Sequence, residues 1–244
     1  MNISHFIFIL ILILCSFGCA SKNKTQGPIS IQMSPEQKQE LIRQLNSMAD
    51  MDERYRRAIS LGTLDSSKLA QYRELAEAGD VDAYLAFKRS TEQTLSDPQI
   101  DSLWALQHAL DYQNYGDLKR IIHQYGYPSE ERLEHSTDLL YPLLLHPPIE
   151  LDPEAYLDEM SDLLKPEVLA GRMSAKKYAM FVDNIRIKVL NKPQLYGTNQ
   201  VFNPETMQMG PPVIEDLELS NKLRKELGLP GLKTGEYEVL KKEG

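Results

Sequence analysis

The stretch SPEQKQELIRQLNSMADMDERYRRAISLG, residues 34–62, decides the fold class. Ser34 can cap a helix, Pro35 suits the first helical position, and Gln37 completes a capping box with the serine. Leu41, Leu45, Met48, Tyr55 and Ile59 then fall on one helical face, and Gly62 supplies a stop. One position in that apolar stripe is wrong for a core. Asp52 stands where the next hydrophobic residue belongs, and Arg56 follows one turn later on the same face. An aspartate so placed faces inward. The pair is either a structural ion pair tying two helices together or part of a site.

Helical patterning continues toward the C-terminus. Segments 66–78 and 80–94 read as two short helices broken at Gly79-Asp80. Asp97-Pro98 opens a helix carrying Ile100, Leu103, Trp104, Leu106 and Leu110. Asn114, with Asp117 three residues on, resembles the cap of a separate helix through Leu118, Ile121, Ile122 and Tyr125, which Gly126 and Pro128 stop. Ser129 starts another, predicted to run through Leu139, Leu140, Leu143 and Leu144 to His146, where Pro147 and Pro148 forbid continuation. A helix over 153–164 follows, and Ser174 caps one through Tyr178, Phe181, Val182, Ile185 and Val189. The period then changes. Residues 194–202 and 206–209, around Asn203-Pro204-Glu205, read as a small hairpin. A last helix over 214–227 is closed by Gly228 and Gly231. The expected fold is mainly α, a single multi-helix domain over 34–244 with one small β-hairpin late in the chain.

Toward the N-terminus the character differs. Residues 6–14 are an unbroken apolar run, too short to span a bilayer comfortably and of the length of a signal-peptide core. Gly18 then precedes Cys19, as in a bacterial lipobox. This predicts a signal peptide over 1–18, cleavage after Gly18, lipidation of Cys19 and a polar tether over 19–33. Ser16 stands where a lipobox usually has leucine, and no Lys or Arg precedes the apolar run. An ordinary secretory signal and an uncleaved anchor are the alternatives. The expected location is extracytoplasmic, as a lipoprotein on the periplasmic face of the outer membrane. Both cysteines, Cys15 and Cys19, lie in this segment, so the remainder has no disulfide, thiolate metal site or cysteine nucleophile. The formal charge of −8 argues against nucleic acid as a partner.

Several blocks together resemble a known family. They are Asp52-Glu53-Arg54-Tyr55-Arg56; Asp111 and Asn114 with Leu118-Lys-Arg-Ile-Ile and Gly126-Tyr127-Pro128; Leu143-Leu-Leu-His146; Asp183-Asn-Ile-Arg186 with Gln194-Leu-Tyr196-Gly197-Thr198; and Pro212 to Asp216 with Asn221, Arg224, Gly228 and Tyr237. Their order over residues 36–237 is similar to that of the bacterial domain-of-unknown-function family 6624. Glu53, Leu145 and Asn199 stand where that pattern has glutamine. The resemblance implies an architecture and a set of polar positions, and no activity.

The candidate chemistry lies at those positions. His146, before two prolines at an expected helix C-terminus, is either a general acid or base or a histidine bonded to terminal carbonyls. Asp183 and Arg186 lie three apart on a helix leading into Gln194, Tyr196, Gly197 and Thr198. That loop is either a ligand-binding surface or a plain hairpin whose tyrosine packs and whose glycine turns. His108, His123 and His135 read as solvated, and no histidine spacing supports a metal. No nucleophile elbow or phosphate-cradling loop is present, and no cofactor is expected. Two functions are consistent with this. One is a ligand- or protein-binding envelope module held at the membrane by the lipid on Cys19, recognising a small polar ligand or a neighbouring envelope protein through Asp52, Arg56, Arg186, Gln194, Tyr196, Gly197 and Thr198. The other is an extracytoplasmic hydrolase, with His146 or Asp183 moving a proton and Arg56 or Arg186 holding an anionic substrate.

Overall fold

A computed structural model describes residues 32–61, 66–78, 83, 86–87, 95–203 and 208–240. The signal segment, Cys19, most of the tether, most of the expected 80–94 helix and the turn at 204–207 lie outside the described residues. Among the described residues no helix is long and apolar enough to cross a membrane. The chain is mainly helical, with two small two-stranded sheets late in the sequence.

Helix α1 is Pro35–Leu61 and begins as its sequence dictates. The Gln37 carboxamide accepts from the Ser34 backbone N–H at 2.8 Å, and the Ser34 hydroxyl accepts from the Gln37 N–H at 3.3 Å. Helix α2 is Ser66–Ala78. Helix α3, Asp97–Tyr125, is one continuous rod where two helices were expected. Asn114 is therefore not a cap; it lies buried inside α3. Gly116 breaks nothing, because a lone glycine costs only about 1 kcal/mol against a long packed helix. Helix α3 ends at Gly126, whose φ of 69° suits a residue without a Cβ.

The largest departure from expectation follows. Helix α4 is only Glu130–Leu133, and a 3-10 turn, Pro142–Leu145, replaces the rest of the predicted helix. The cause lies in residues 134–138. Glu134 adopts a left-handed φ of 54°, and the Thr137 N–H donates to His135 Nδ1 at 3.2 Å. The Asp138 carboxylate accepts from the N–H groups of Leu140 at 3.2 Å and Tyr141 at 3.0 Å. Short polar side chains have captured the backbone donors that a helix would have used.

Helix α5, Pro153–Leu169, outlasts its predicted end and carries Pro166 within its last turn, at the cost of the one backbone hydrogen bond a proline cannot donate. Helix α6 is Ala175–Lys188. Strands β1, Val201–Asn203, and β2, Gln208–Gly210, pair antiparallel as the late hairpin, with Phe202 opposite Met209. Strand β3, Val213–Ile214, takes the start of the predicted last helix and pairs in parallel with β4, Glu238–Val239. Helix α7 is Leu217–Glu226, capped by the Asp216 carboxylate.

Helix α1 packs along α3, and α5 packs on α6. The 3-10 turn touches α1, α3 and α6. Its Leu143 and Leu144, with Leu140 just before it, are fully buried among Leu41 and Leu45 of α1, Leu118 and Ile121 of α3, Tyr156, Met160 and Leu164 of α5, and Phe181 and Ile185 of α6. The Tyr156 hydroxyl donates to the Leu144 carbonyl at 2.8 Å, so the buried phenol is satisfied and the turn is pinned to α5. His146 is thereby delivered to the α1–α3 seam by a well-packed anchor.

Candidate functional site

Asp52 is 2% exposed, although nothing in its own turn neutralises it except Arg56. Its partners come from three elements. Arg56 Nη1 donates to Asp52 Oδ1 at 3.2 Å, and Asn114 Nδ2 of α3 reaches the same oxygen at 3.5 Å. Asp52 Oδ2 faces His146 Nδ1 at 2.7 Å. Arg56 Nη2 turns the other way, to Asp111 Oδ2 at 2.7 Å. Gln107 Nε2 donates to Asp111 Oδ1 at 2.8 Å, and Gln107 Oε1 accepts from the Arg56 backbone N–H at 3.1 Å. One guanidinium thus sits between two buried carboxylates, which is how a dry interior tolerates such groups.

The chemical consequence is orientation. A carboxylate only accepts, so in this contact Nδ1 carries a proton; in the neutral imidazole Nε2 is then the nitrogen with the lone pair. Among the described residues Nε2 has no hydrogen bond, and the His146 side chain is 27% exposed. The exposed Glu53, next along α1, completes a group: donor atoms of Asp52, Glu53 and His146 lie within 4.8 Å of one another. His146 ends a 3-10 turn rather than the long helix expected, and Asp52 orients the ring.

The second set of predicted residues forms a separate network. Asp183, fully buried on α6, accepts from the N–H groups of Leu195, Tyr196 and Thr198, each at 2.9 Å, and from the Thr198 hydroxyl at 2.7 Å. Gln194 Oε1 accepts from the N–H groups of Thr198 at 3.0 Å and Asn199 at 2.8 Å, while its Nε2 donates to the Asn199 carbonyl at 2.6 Å. Burial pushes the Asp183 carboxyl above its ordinary value, and these donors pull it back. Gly197 has a φ of 65°, and a Cβ there would meet Leu232 Cδ1 at 3.0 Å and Ile214 Cγ2 at 3.1 Å. Tyr196 is buried edge-on against Tyr178. Arg186 donates to the Pro193 carbonyl at 2.6 Å and to Glu215 at 2.9 Å. The carboxylate of Asp183 and the carboxamide of Gln194 are spent on holding the loop that leads to β1.

No hydrogen bond among the described residues joins the two networks. The structure therefore gathers Asp52, Arg56 and His146 in one place, and Asp183, Arg186, Gln194, Tyr196, Gly197 and Thr198 in another. Gln107 is a member of the first network that sequence reasoning missed. The signal was present: Gln107, Asp111 and Asn114 repeat at the four- and three-residue spacing of a buried stripe. Trp104 and Leu106, which carried the apolar pattern, are instead 38% and 50% exposed. Two grooves open elsewhere, one on α7 beside Asn221 and Lys222, and one of about 490 Å³ lined by Pro193, Val201, Phe202 and Leu240.

No family model matches the chain, and no curated protein or solved structure is similar to it.

Proposed function

We propose that this chain is a lipid-anchored envelope protein whose helical domain binds a small polar ligand at the junction of α1, α3 and the 3-10 turn. The observation that carries the reading is the 2.7 Å contact of His146 Nδ1 with a buried aspartate, itself braced by Arg56 and Asn114. A histidine serving only as filler needs no such backing. Here the ring is fixed with its second nitrogen uncommitted among the described residues, as a ligand-contacting group requires. The lipobox-like Gly18-Cys19 and the tether over 19–33 support the membrane location. The resemblance to a family without known activity supplies no chemistry, so the reading rests on these residues.

The test is a thermal-shift screen of sugars, amino acids, nucleotides and small carboxylates against the full chain, repeated with His146→Ala. Hits that stabilise the native chain and fail with the variant are the expected result. Hits indifferent to His146 would end the proposal.

A second reading is favoured by the same orientation. An aspartate on Nδ1 leaves Nε2 placed to take a proton from water, which is the general-base half of a hydrolase. It predicts slow turnover of an activated ester such as p-nitrophenyl acetate, lost in both His146→Gln and Asp52→Asn. Equal turnover by the variants would exclude it.

A further inference from the structure

We infer that Asp52, Glu53 and His146 form a divalent-cation site, with zinc the best-suited ion; this rests on the reading of the His146 junction as a functional site. The donor atoms of the three side chains lie within 4.8 Å of one another. Neighbouring ligands of one ion at bond lengths of about 2.0–2.2 Å lie roughly 3 to 3.5 Å apart, so the exposed Glu53 carboxylate has to close on the other two. Asp52 Oδ2 and His146 Nδ1 lie 2.7 Å apart as a hydrogen-bonded pair. A cation that replaces the Nδ1 proton, which leaves to solvent or moves to Nε2, needs them only slightly further apart, at the roughly 3 Å between neighbouring ligands of one ion.

Three further features fit a metal better than a plain ion pair. The first is bracing. Asp52 Oδ1 is held by Arg56 and Asn114, which leaves Oδ2 as the coordinating oxygen; Arg56 is in turn fixed by Asp111 and Gln107. Such outer hydrogen bonds are what orient metal ligands. The second is that Glu53 forms no hydrogen bond or ion pair among the described residues, so its carboxylate is uncommitted beside the cluster. The third is formal charge. Asp52 and Asp111 share the single guanidinium of Arg56, and Glu53 adds a further carboxylate beside Asp52, so a divalent cation offsets the excess of negative charge.

The donor set names the class of ion. One imidazole nitrogen with two carboxylate oxygens suits a borderline cation such as Zn²⁺, whereas Ca²⁺ and Mg²⁺ prefer oxygen alone. Three protein ligands leave at least one position for water or for an anionic group of a ligand. Local spacing gave no hint of this, because Asp52 and His146 are 94 residues apart and meet only through the fold.

The experiment uses the full chain without an affinity tag, in detergent and stripped with chelator. ZnCl₂ is titrated calorimetrically, and CoCl₂ is followed by its visible absorption. One equivalent should bind. Glu53→Gln should weaken binding at least tenfold while leaving the metal-free melting temperature unchanged, because Glu53 is exposed. His146→Gln should abolish binding, and Glu218→Gln on α7 should not alter it. Absence of saturable uptake, or uptake unaffected by Glu53→Gln and His146→Gln, overturns the site. A chain that takes up no zinc but loses its small-molecule hits in His146→Ala removes the metal and leaves the ligand reading. Zinc uptake together with hits indifferent to His146 does the reverse.

Discussion

Asp183 and Asp52 are both buried carboxylates, and their surroundings assign them opposite duties. Asp183 spends both oxygens on four donors of the 195–198 loop, so its removal is a stability event. Asp183→Asn places an amide against donors that need an acceptor. It should cost about 3 kcal/mol, read as a lower urea midpoint. Thr198→Ala, which removes one of the four donors, should cost about 1 kcal/mol in the same measurement. Asp52 spends one oxygen on Arg56 and Asn114 and offers the other to His146. Both aspartates were legible from sequence as polar residues in helical, partly apolar settings. Which of them faces a satisfied loop and which an open imidazole was not, because each answer depends on residues 12 or more positions away. Gly197 was legible for a simpler reason: a glycine between two polar loop residues marks a left-handed turn, and its φ of 65° is that turn.

Among elements, the seam between α3 and α5 shows how an irregular segment is held. Glu167, wholly buried on α5, accepts from the Tyr127 N–H at 2.7 Å and pairs with Arg172 at 2.6 and 2.8 Å. Gly126 permits this approach: a Cβ there would lie 2.8 Å from Glu167 Oε2, and its φ of 69° is left-handed. Gly126→Ala therefore combines backbone strain with a clash and should cost about 1–3 kcal/mol in thermal or urea unfolding. The neighbouring Lys177 ties α6 to α4 through Glu130 and to the segment before the 3-10 turn through Asp138 at 2.9 Å. The hydrogen bond from Lys177 holds the Glu130 carboxyl below its ordinary value of 4.5. The folded state then binds fewer protons than the unfolded state, so this contribution is present above about pH 4.5 and is lost as pH falls through the lowered value. Lys177→Met should flatten the rise of stability with pH between about pH 3 and 5, measured by urea unfolding across that range. Helix starts with clear caps were readable in advance, as Ser34 and Gln37 show. The segment 134–145 was not, because its leucines keep a helical period while the Asp138 and His135 side chains withdraw the backbone from the helix.

At the scale of the molecule, location and packing carry separate consequences. The lipid proposal belongs to residues 1–33, and it predicts that Cys19→Ala moves the protein from the membrane fraction to the soluble fraction. Unchanged retention after fractionation would favour an uncleaved anchor. The mainly helical class was legible because patterning at 3.6 residues extends over most of the chain; the parallel pairing of β3 with β4 was not, since two-residue strands carry no period.

The 3-10 turn at Pro142–Leu145, wedged against α1, α3 and α6 and bonded to α5, has one more effect. Neither helix pair can open to solvent without exposing Leu143 and Leu144, so the two pairs belong to one cooperative opening unit. Their slowest-exchanging amides should report the same free energy. Leu144→Ala should lower it in α1 and α5 alike, by about 2–5 kcal/mol in native-state hydrogen exchange. His146 is the next residue of that wedge. Anything that grips its imidazole adds its binding free energy to the closing of both halves at once, and occupancy at the seam becomes readable as slowed exchange on the far side of the molecule.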